Sequence, residues 1–238
     1  MIQNNSSKHN YFLLPLLIIT ILSLNACGLL PEAKPQLVVV DPLRFTKVVD
    51  GYKSADSLKK PHPNSLLFVG SSSIHGWHTL ADDFPELSVI NRGMGGSHMS
   101  DLIYYMDDIV FPYRPNAIVV YEGDNDISSG KTPEIVLNDF KTFVTSVYSK
   151  WPELPIFFIS IKPSIARIQH LENMGKANAL IKAYIDQQAT LYYVDVYNPM
   201  LGADGTPRPD IFSEDGLHMN ESGYALWTKE IKQELGLE

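Results

Sequence analysis

Five short apolar runs separated by longer, helix-period stretches constrain this chain more than any other feature. They are 65–69 (SLLFV), 87–90 (LSVI), 117–121 (AIVVY), 155–161 (PIFFISI) and 191–196 (LYYVDV). Each is rich in β-branched or aromatic residues and too short for a buried helix, so each reads as a strand. Helices fill the intervals. One spans 45–58, with Phe45, Val48, Val49 and Tyr52 on one side. A second starts with Thr132 as N-cap and Pro133 at the first helical position. It carries Ile135, Val136, Phe140, Phe143, Val144 and Val147 along one face. A third covers about 168–188, with Leu171, Met174, Leu180, Ile181 and Tyr184 inward, and a fourth covers 222–235. Continuously apolar strands alternating with helices imply a parallel sheet covered on both faces, and right-handed crossovers make it doubly wound.

The N-terminus is a separate matter. Lys8 and His9 precede an apolar run from Tyr11 to Leu24. That run falls short of the roughly 20 residues needed to span a bilayer and suits the core of a secretory signal. It ends in Leu24-Asn25-Ala26-Cys27, which resembles a bacterial lipobox. Cys27 is the only cysteine, and lipidation would remove a free thiol from an oxidising compartment. The expected division is a signal peptide at 1–26, a lipidated Cys27 with a proline-bearing tether to residue 43, and one domain at 44–238. The alternatives are an ordinary signal peptide cut near Ala26 and an uncleaved anchor. Gly28 follows the cysteine, so no aspartate favours the inner membrane, and an outer-membrane anchor is expected in a Gram-negative host.

Loss of 1–26 removes one base and no acid, leaving 18 basic against 27 acidic residues, a net charge of −9. An acidic surface of this kind excludes bulk neutralisation of phosphates, so no nucleic-acid partner is expected. About 195 residues remain, enough for one domain with a sizeable core.

Polar blocks follow the first three runs: Gly70-Ser71-Ser72-Ser73, Asn91-Arg92-Gly93-Met94-Gly95-Gly96 and Gly123-Asp124-Asn125-Asp126. A fourth, Asp215-Gly216-Leu217-His218, lies near the C-terminus. In an open α/β sheet, ligands bind at the carboxyl ends of the strands near the switch in strand order, so the first three blocks converge there. Taken singly, each block has a plain reading: a serine cluster is a turn or a cap, and Asn125 an Asx-type turn. Asp-x-x-His by itself is weak evidence. Taken together, they supply hydroxyl, imidazole and carboxylate, and a neutral imidazole is suited to take a serine proton near pH 7.

In this order the blocks resemble those of the SGNH hydrolases, also called the GDSL lipase/esterase family, over roughly residue 45 to the C-terminus. Leu67-Phe68-Val69-Gly70-Ser71-Ser72-Ser73-Ile74 and Asp215-Gly216-Leu217-His218-Met219-Asn220 are close to one GDSL-like branch. The resemblance implies an α/β fold, a three-layer α/β/α sandwich with a flavodoxin-like parallel five-stranded sheet. It implies Ser72 as nucleophile, His218 as base and Asp215 as the carboxylate that orients the imidazole. The backbone N–H groups of Ser72 and Gly96 and the side-chain amide of Asn125 would form the oxyanion hole. No metal and no cofactor are implied. Ser71 stands where the family usually has aspartate, leaving open the hydrogen bonds that aspartate would make.

The implied activity is hydrolysis of carboxylic esters, of short-chain acyl or lysophospholipid type, through an acyl-enzyme. Alternatives are O-acetyl removal from envelope glycans and a non-catalytic lipoprotein that binds glycan or lipid. His75 and His78 are spaced as neighbours on a helix, but no third metal ligand is near in sequence. Trp77, His98 and Glu122 line the cleft or pack, and the loop 198–212 is placed to shape a pocket for the acyl or leaving group.

Overall fold

The computed structural model describes residues 41–237. The signal, Cys27 and most of the tether lie outside the described residues. In chain order the elements are α1 (Thr46–Leu58), β1 (Leu66–Gly70), α2 (Ser72–His75), α3 (Leu80–Asp83), β2 (Val89–Gly93), α4 (Met99–Tyr104) and α5 (Met106–Ile109). They continue with β3 (Ala117–Tyr121), α6 (Asp124–Ser128), α7 (Pro133–Lys150), β4 (Ile156–Ile159), α8 (Leu171–Ile185), β5 (Leu191–Val194) and α9 (Glu221–Glu234). Short 3-10 turns occupy Pro42–Phe45, Ile165–His170 and Pro209–Ile211.

The strands form one sheet in the order β2-β1-β3-β4-β5, and all neighbours are parallel. This is the flavodoxin-like winding, and its switch point lies between β1 and β3. Successive side chains of a strand point to opposite faces, and the core divides accordingly. Leu67, Val69, Ile118, Val120, Ile156 and Phe158 pack with α1, α4, α5, α7 and α8. Leu66, Phe68, Val119, Tyr121, Phe157 and Ile159 pack with α2, α3 and α9. On that second face Trp227 stands 4.8 Å from Tyr121 and 6.0 Å from Trp77, ring centre to ring centre. The result is helix, sheet, helix: a three-layer sandwich.

The expected strands are all present, with shifted ends. β2 begins later than expected and runs through Asn91, Arg92 and Gly93, because these polar residues pair in register with Phe68, Val69 and Gly70 of β1. Half of the second polar block is thus strand, not loop. α7 begins as expected, with the Thr132 hydroxyl accepting from the Ile135 N–H at 3.4 Å. The expected helix at 168–188 is instead a 3-10 turn followed by α8. Inside that 3-10 turn Arg167 leaves helical geometry at φ −124° and ψ 28°, and its side chain is engaged with groups after β3. The buried face of α8 is Met174, Ala177, Asn178, Ile181 and Ile185, with Leu171, Leu180 and Tyr184 only half-buried. Among the described residues no helix is long and apolar enough to cross a membrane.

Candidate active site

Parallel register gathers the first three blocks. Gly70 at the end of β1 lies between Gly93 of β2 and Tyr121 of β3. A side chain at 70 would put its Cβ 2.0 Å from the Tyr121 carbonyl oxygen, so only glycine fits where the chain turns into α2. Asn91 ties the second block to that turn: its amide donates to the Ile74 carbonyl at 2.7 Å and its oxygen accepts from the Gly93 N–H at 2.9 Å. Arg92 points elsewhere, paired with Asp56 and donating to the Tyr113 hydroxyl at 2.5 Å.

Burial separates the three serines. Ser71 and Ser73 are 0% and 1% exposed, whereas Ser72, the first residue of α2, is half-buried and reaches solvent. Among the described residues the Ser71 and Ser73 hydroxyls have no hydrogen-bond partner. Ser72 is therefore the serine that a substrate can meet.

Charged groups hold the two residues expected as oxyanion donors, Gly96 and Asn125. Gly96 is exposed at φ +83° with open space where a Cβ would stand, a conformation that favours glycine. Its carbonyl accepts from Arg44 at 3.0 Å, and Arg44 in turn pairs with Asp101 at 2.9 Å. Asn125 is half-buried between the buried Asp124 and Asp126. Its amide nitrogen donates to the Ser97 carbonyl at 2.9 Å, and its oxygen accepts from Arg167 at 2.7 Å. Guanidinium only donates and a carbonyl only accepts, so this amide has one self-consistent orientation, with its second N–H uncommitted.

The fourth block makes a compact unit. Asp215 Oδ2 faces His218 Nδ1 at 2.6 Å, while Oδ1 accepts from the backbone N–H groups of Leu217 and His218 at 2.9 Å each. These bonds, that of His218 first, hold the Asp215 carboxyl down to about 2. A carboxylate at Nδ1 places the imidazole proton there and leaves Nε2 free to accept one. Two residues after His218, Asn220 caps α9, and Tyr224 of its first turn donates to the Ser73 carbonyl at 3.1 Å, so α9 meets the turn that carries the three serines. The structure joins Asp215 to His218; among the described residues no hydrogen bond joins Ser72 to His218. Such contacts are often long without substrate.

The GDSL-like lipase/acylhydrolase family model matches residues 49–226. The chain belongs to this family. Among curated proteins none matches the chain. Many solved structures are similar to this GDSL-like hydrolase, three of them as follows. One, from Streptococcus pneumonia and named for platelet activating factor, is 22% identical with a TM-score of 0.71, over 79% of this chain and 91% of that one. A GDSL-like lipase from Bacteroides thetaiotaomicron is 19% identical at 0.68, over 79% and 97%. A family 3 carbohydrate esterase from Talaromyces cellulolyticus is 16% identical at 0.60, over 74% and 97%. At these identities the likeness shows a shared fold; the family match makes the chain a hydrolase of acylated substrates.

Arg44, Lys162 and Arg167, which bond to residues of the polar blocks, gave no signal in the sequence, and Asp124 stood in the third block with no role assigned. Lys162 is 1% exposed, donates to the Leu217 carbonyl at 2.9 Å and lies 3.6 Å from Asp124. Burial pulls its ammonium below the ordinary lysine value, and Asp124 opposes that pull. Arg167 lies 3.0 Å from the same Asp124 oxygen. Other residues considered from sequence turn out to pack. Trp77 is buried and donates to Asp83 at 2.6 Å. His98 is buried with its Nε2 2.8 Å from the Ser129 hydroxyl. Glu122 is buried and accepts from Ser97 at 2.5 Å; burial first, then Asp126, raises its carboxyl well above the usual range.

His75 Nδ1 faces the Gly93 carbonyl at 3.0 Å, and no group of three metal-ligating residues occurs among the described residues. The loop 198–212 contributes Met200, Ile211 and Phe212 to the core beneath α9. A cleft of about 1630 Å³ beside the outer edge of β2, lined by Lys59, His62, Arg92 and Arg114 among others, contains none of Ser72, Gly96, Asn125, Asp215 or His218. It is remote from this chemistry.

Proposed function

We propose that the protein hydrolyses carboxylic esters through a Ser72, His218 and Asp215 triad and an acyl-enzyme. The observation that carries this reading is the Asp215–His218 unit, in which one carboxylate oxygen fixes the imidazole tautomer and the other is fixed by two backbone N–H groups. A base with its acceptor nitrogen free has a use only if something nearby must lose a proton, and Ser72 is the accessible hydroxyl at the switch point. Ser72 attacks the ester carbonyl while His218 takes its proton. The tetrahedral oxyanion receives the N–H groups of Ser72 and Gly96 and the free amide N–H of Asn125. Loss of any one such donor costs about 10² to 10³ in turnover. The intermediate collapses as His218 protonates the leaving alcohol, and a water activated by His218 then releases the acid.

The acyl group is short or lies along the surface. His218 and Asp215 are about half exposed, and Ile165 and Ile168, at 41% and 50% exposed, stand on the turn that borders the base loop. Ala166 donates to the Gly216 carbonyl at 3.0 Å, fixing that apolar edge beside the imidazole. It suits a short-chain acyl group or a lysophospholipid. The same openness favours a second reading, an acetyl group carried on an envelope glycan. Residues 1–26 are proposed as a lipoprotein signal peptide and Cys27 as the lipidated residue that anchors the enzyme at the cell envelope, on the outer membrane of a Gram-negative host.

The test is hydrolysis of p-nitrophenyl acetate by the full-length chain in mild detergent, beside Ser72→Ala with a matched melting temperature. Activity lost only in the variant supports the triad, and equal activity in both removes Ser72 from its role. An acyl-chain series against acetylated glycans then separates the two substrate readings.

A further inference from the structure

We propose that Lys162 and Arg167, joined through Asp124, are positioning residues that set the oxyanion donor Asn125 and the base loop carrying His218 in one frame. The proposal rests on the esterase reading above and assigns work to residues which that mechanism leaves unused.

Asp124 comes from the first residue of α6, Lys162 from the segment after β4, and Arg167 from the 3-10 turn that follows it. A fully buried ammonium is costly to keep unless its hydrogen bonds are spent well. Lys162 spends one on the carbonyl of Leu217, the residue before His218, at 2.9 Å. Its charge is balanced by Asp124 at 3.6 Å. Arg167 balances the same carboxylate oxygen at 3.0 Å with one nitrogen and donates to Asn125 Oδ1 at 2.7 Å with the other. A planar guanidinium with two arms at fixed spacing is the group that does both. One carboxylate thus connects two cations whose remaining bonds end on the two halves of the catalytic apparatus. The Ala166 N–H, bonded to the Gly216 carbonyl at 3.0 Å, adds a backbone strut between the same turn and the same loop.

A network present only for stability would not need both cations to end on the oxyanion donor and the base loop. Without Arg167 the Asn125 amide keeps only its bond to the Ser97 carbonyl, so one of the two bonds that hold its free N–H toward the developing charge is gone. Without Lys162 the Leu217–His218 peptide loses its anchor while Asp124 stays paired.

The experiment uses the full-length chain with Arg167→Ala, Arg167→Lys, Lys162→Met and Ser72→Ala. Three quantities are read: kcat and KM on p-nitrophenyl acetate, the rate of Ser72 labelling by a fluorophosphonate, and the melting temperature. Arg167→Ala is expected to lower kcat by about 10² to 10³, the cost of one oxyanion donor, with KM within about twofold. Labelling slows in parallel, and added methylguanidinium restores part of the loss. Arg167→Lys keeps the charge beside Asp124 and the melting temperature, yet loses more than about tenfold in kcat because one ammonium cannot serve both partners. Lys162→Met slows turnover and labelling together.

Arg167 variants within threefold of wild type, beside an inactive Ser72→Ala, would overturn the network and leave the esterase reading standing. Full recovery of both kcat and melting temperature in Arg167→Lys would also overturn it, reducing the pair to a structural ion pair. If wild type neither hydrolyses nor labels faster than Ser72→Ala, the esterase reading fails and the network falls with it.

Discussion

Replacing Asp215 by asparagine removes one charge and no volume, and its consequence can be worked from three hydrogen bonds. The carboxylate accepts all three, from His218 Nδ1 and from two backbone N–H groups. An asparagine has one accepting oxygen. Facing that oxygen to the two N–H groups turns the amide NH₂ toward Nδ1. The imidazole must then accept there and carry its proton on Nε2, the nitrogen that should receive the serine proton. The opposite rotamer points NH₂ at two N–H donors and loses both bonds. The first arrangement is the cheaper one, so the variant folds with the wrong tautomer. The expected loss in kcat is about 10⁴, the size of the same change in a serine protease triad, or about 5.5 kcal/mol of activation free energy.

Stability should change far less, because the carboxylate is half exposed and water replaces its partners. Since the folded carboxyl sits at about 2 against an ordinary 3.8, its contribution is present above 3.8 and is lost as pH falls toward 2. Asp215 therefore stays ionised from pH 4 upward and sets no limb of the activity profile there. The assay is steady-state ester hydrolysis with the melting temperature recorded on the same samples. A variant within tenfold of wild type kcat would refute the tautomer argument.

Arg44→Ala frees the Gly96 carbonyl, and kcat is expected to fall by about tenfold, the worth of one hydrogen bond to a charged group in a partly exposed site. A KM that rises instead, with kcat unchanged, would show that Arg44 acts on substrate binding. Ser71→Asp restores the family's usual residue at a position with no exposure and no partner among the described residues, so it should cost about 3 kcal/mol as an uncompensated buried charge. Urea denaturation checks it, and an unchanged midpoint would mean a cation lies within reach. Glu122→Gln keeps an oxygen to accept from Ser97 and carries no buried charge, so activity at pH 7 should stay within about twofold. Because the folded value is raised, wild type stability is greatest below the ordinary 4.5 and declines as pH rises toward the raised value; the glutamine variant should lack that decline.

Much of the fold was readable before any coordinates. A strand buried on both faces must be apolar at consecutive positions, so SLLFV, AIVVY and PIFFISI announce themselves, and Thr132-Pro133 marks a helix start through chemistry confined to its own first turn. β2 was misread at its ends because Asn91 and Arg92 are strand residues only by virtue of pairing with β1. The helix expected over about 168–188 is present as Leu171–Ile185, its first residues forming the end of a 3-10 turn that periodicity alone does not distinguish from helix. The triad blocks were legible as words in an order, yet the choice among Ser71, Ser72 and Ser73 rested on resemblance until burial separated them.

The sequence by itself determined the strand and helix alternation, hence the parallel sheet, and the four polar blocks with their acid, base and nucleophile types. Those signals are local, written in periodicity and in short turns. Only the tertiary structure decided that Ser72 alone of its cluster meets solvent and that Glu122 and Trp77 are packing rather than lining. It also brought Arg44 to Gly96, Arg167 to Asn125 and Asp124, and Lys162 to Leu217. A buried ion pair or a carbonyl held by a distant arginine joins residues that may stand anywhere along the chain, so no periodicity marks it; it exists once the sheet has brought the strand ends together.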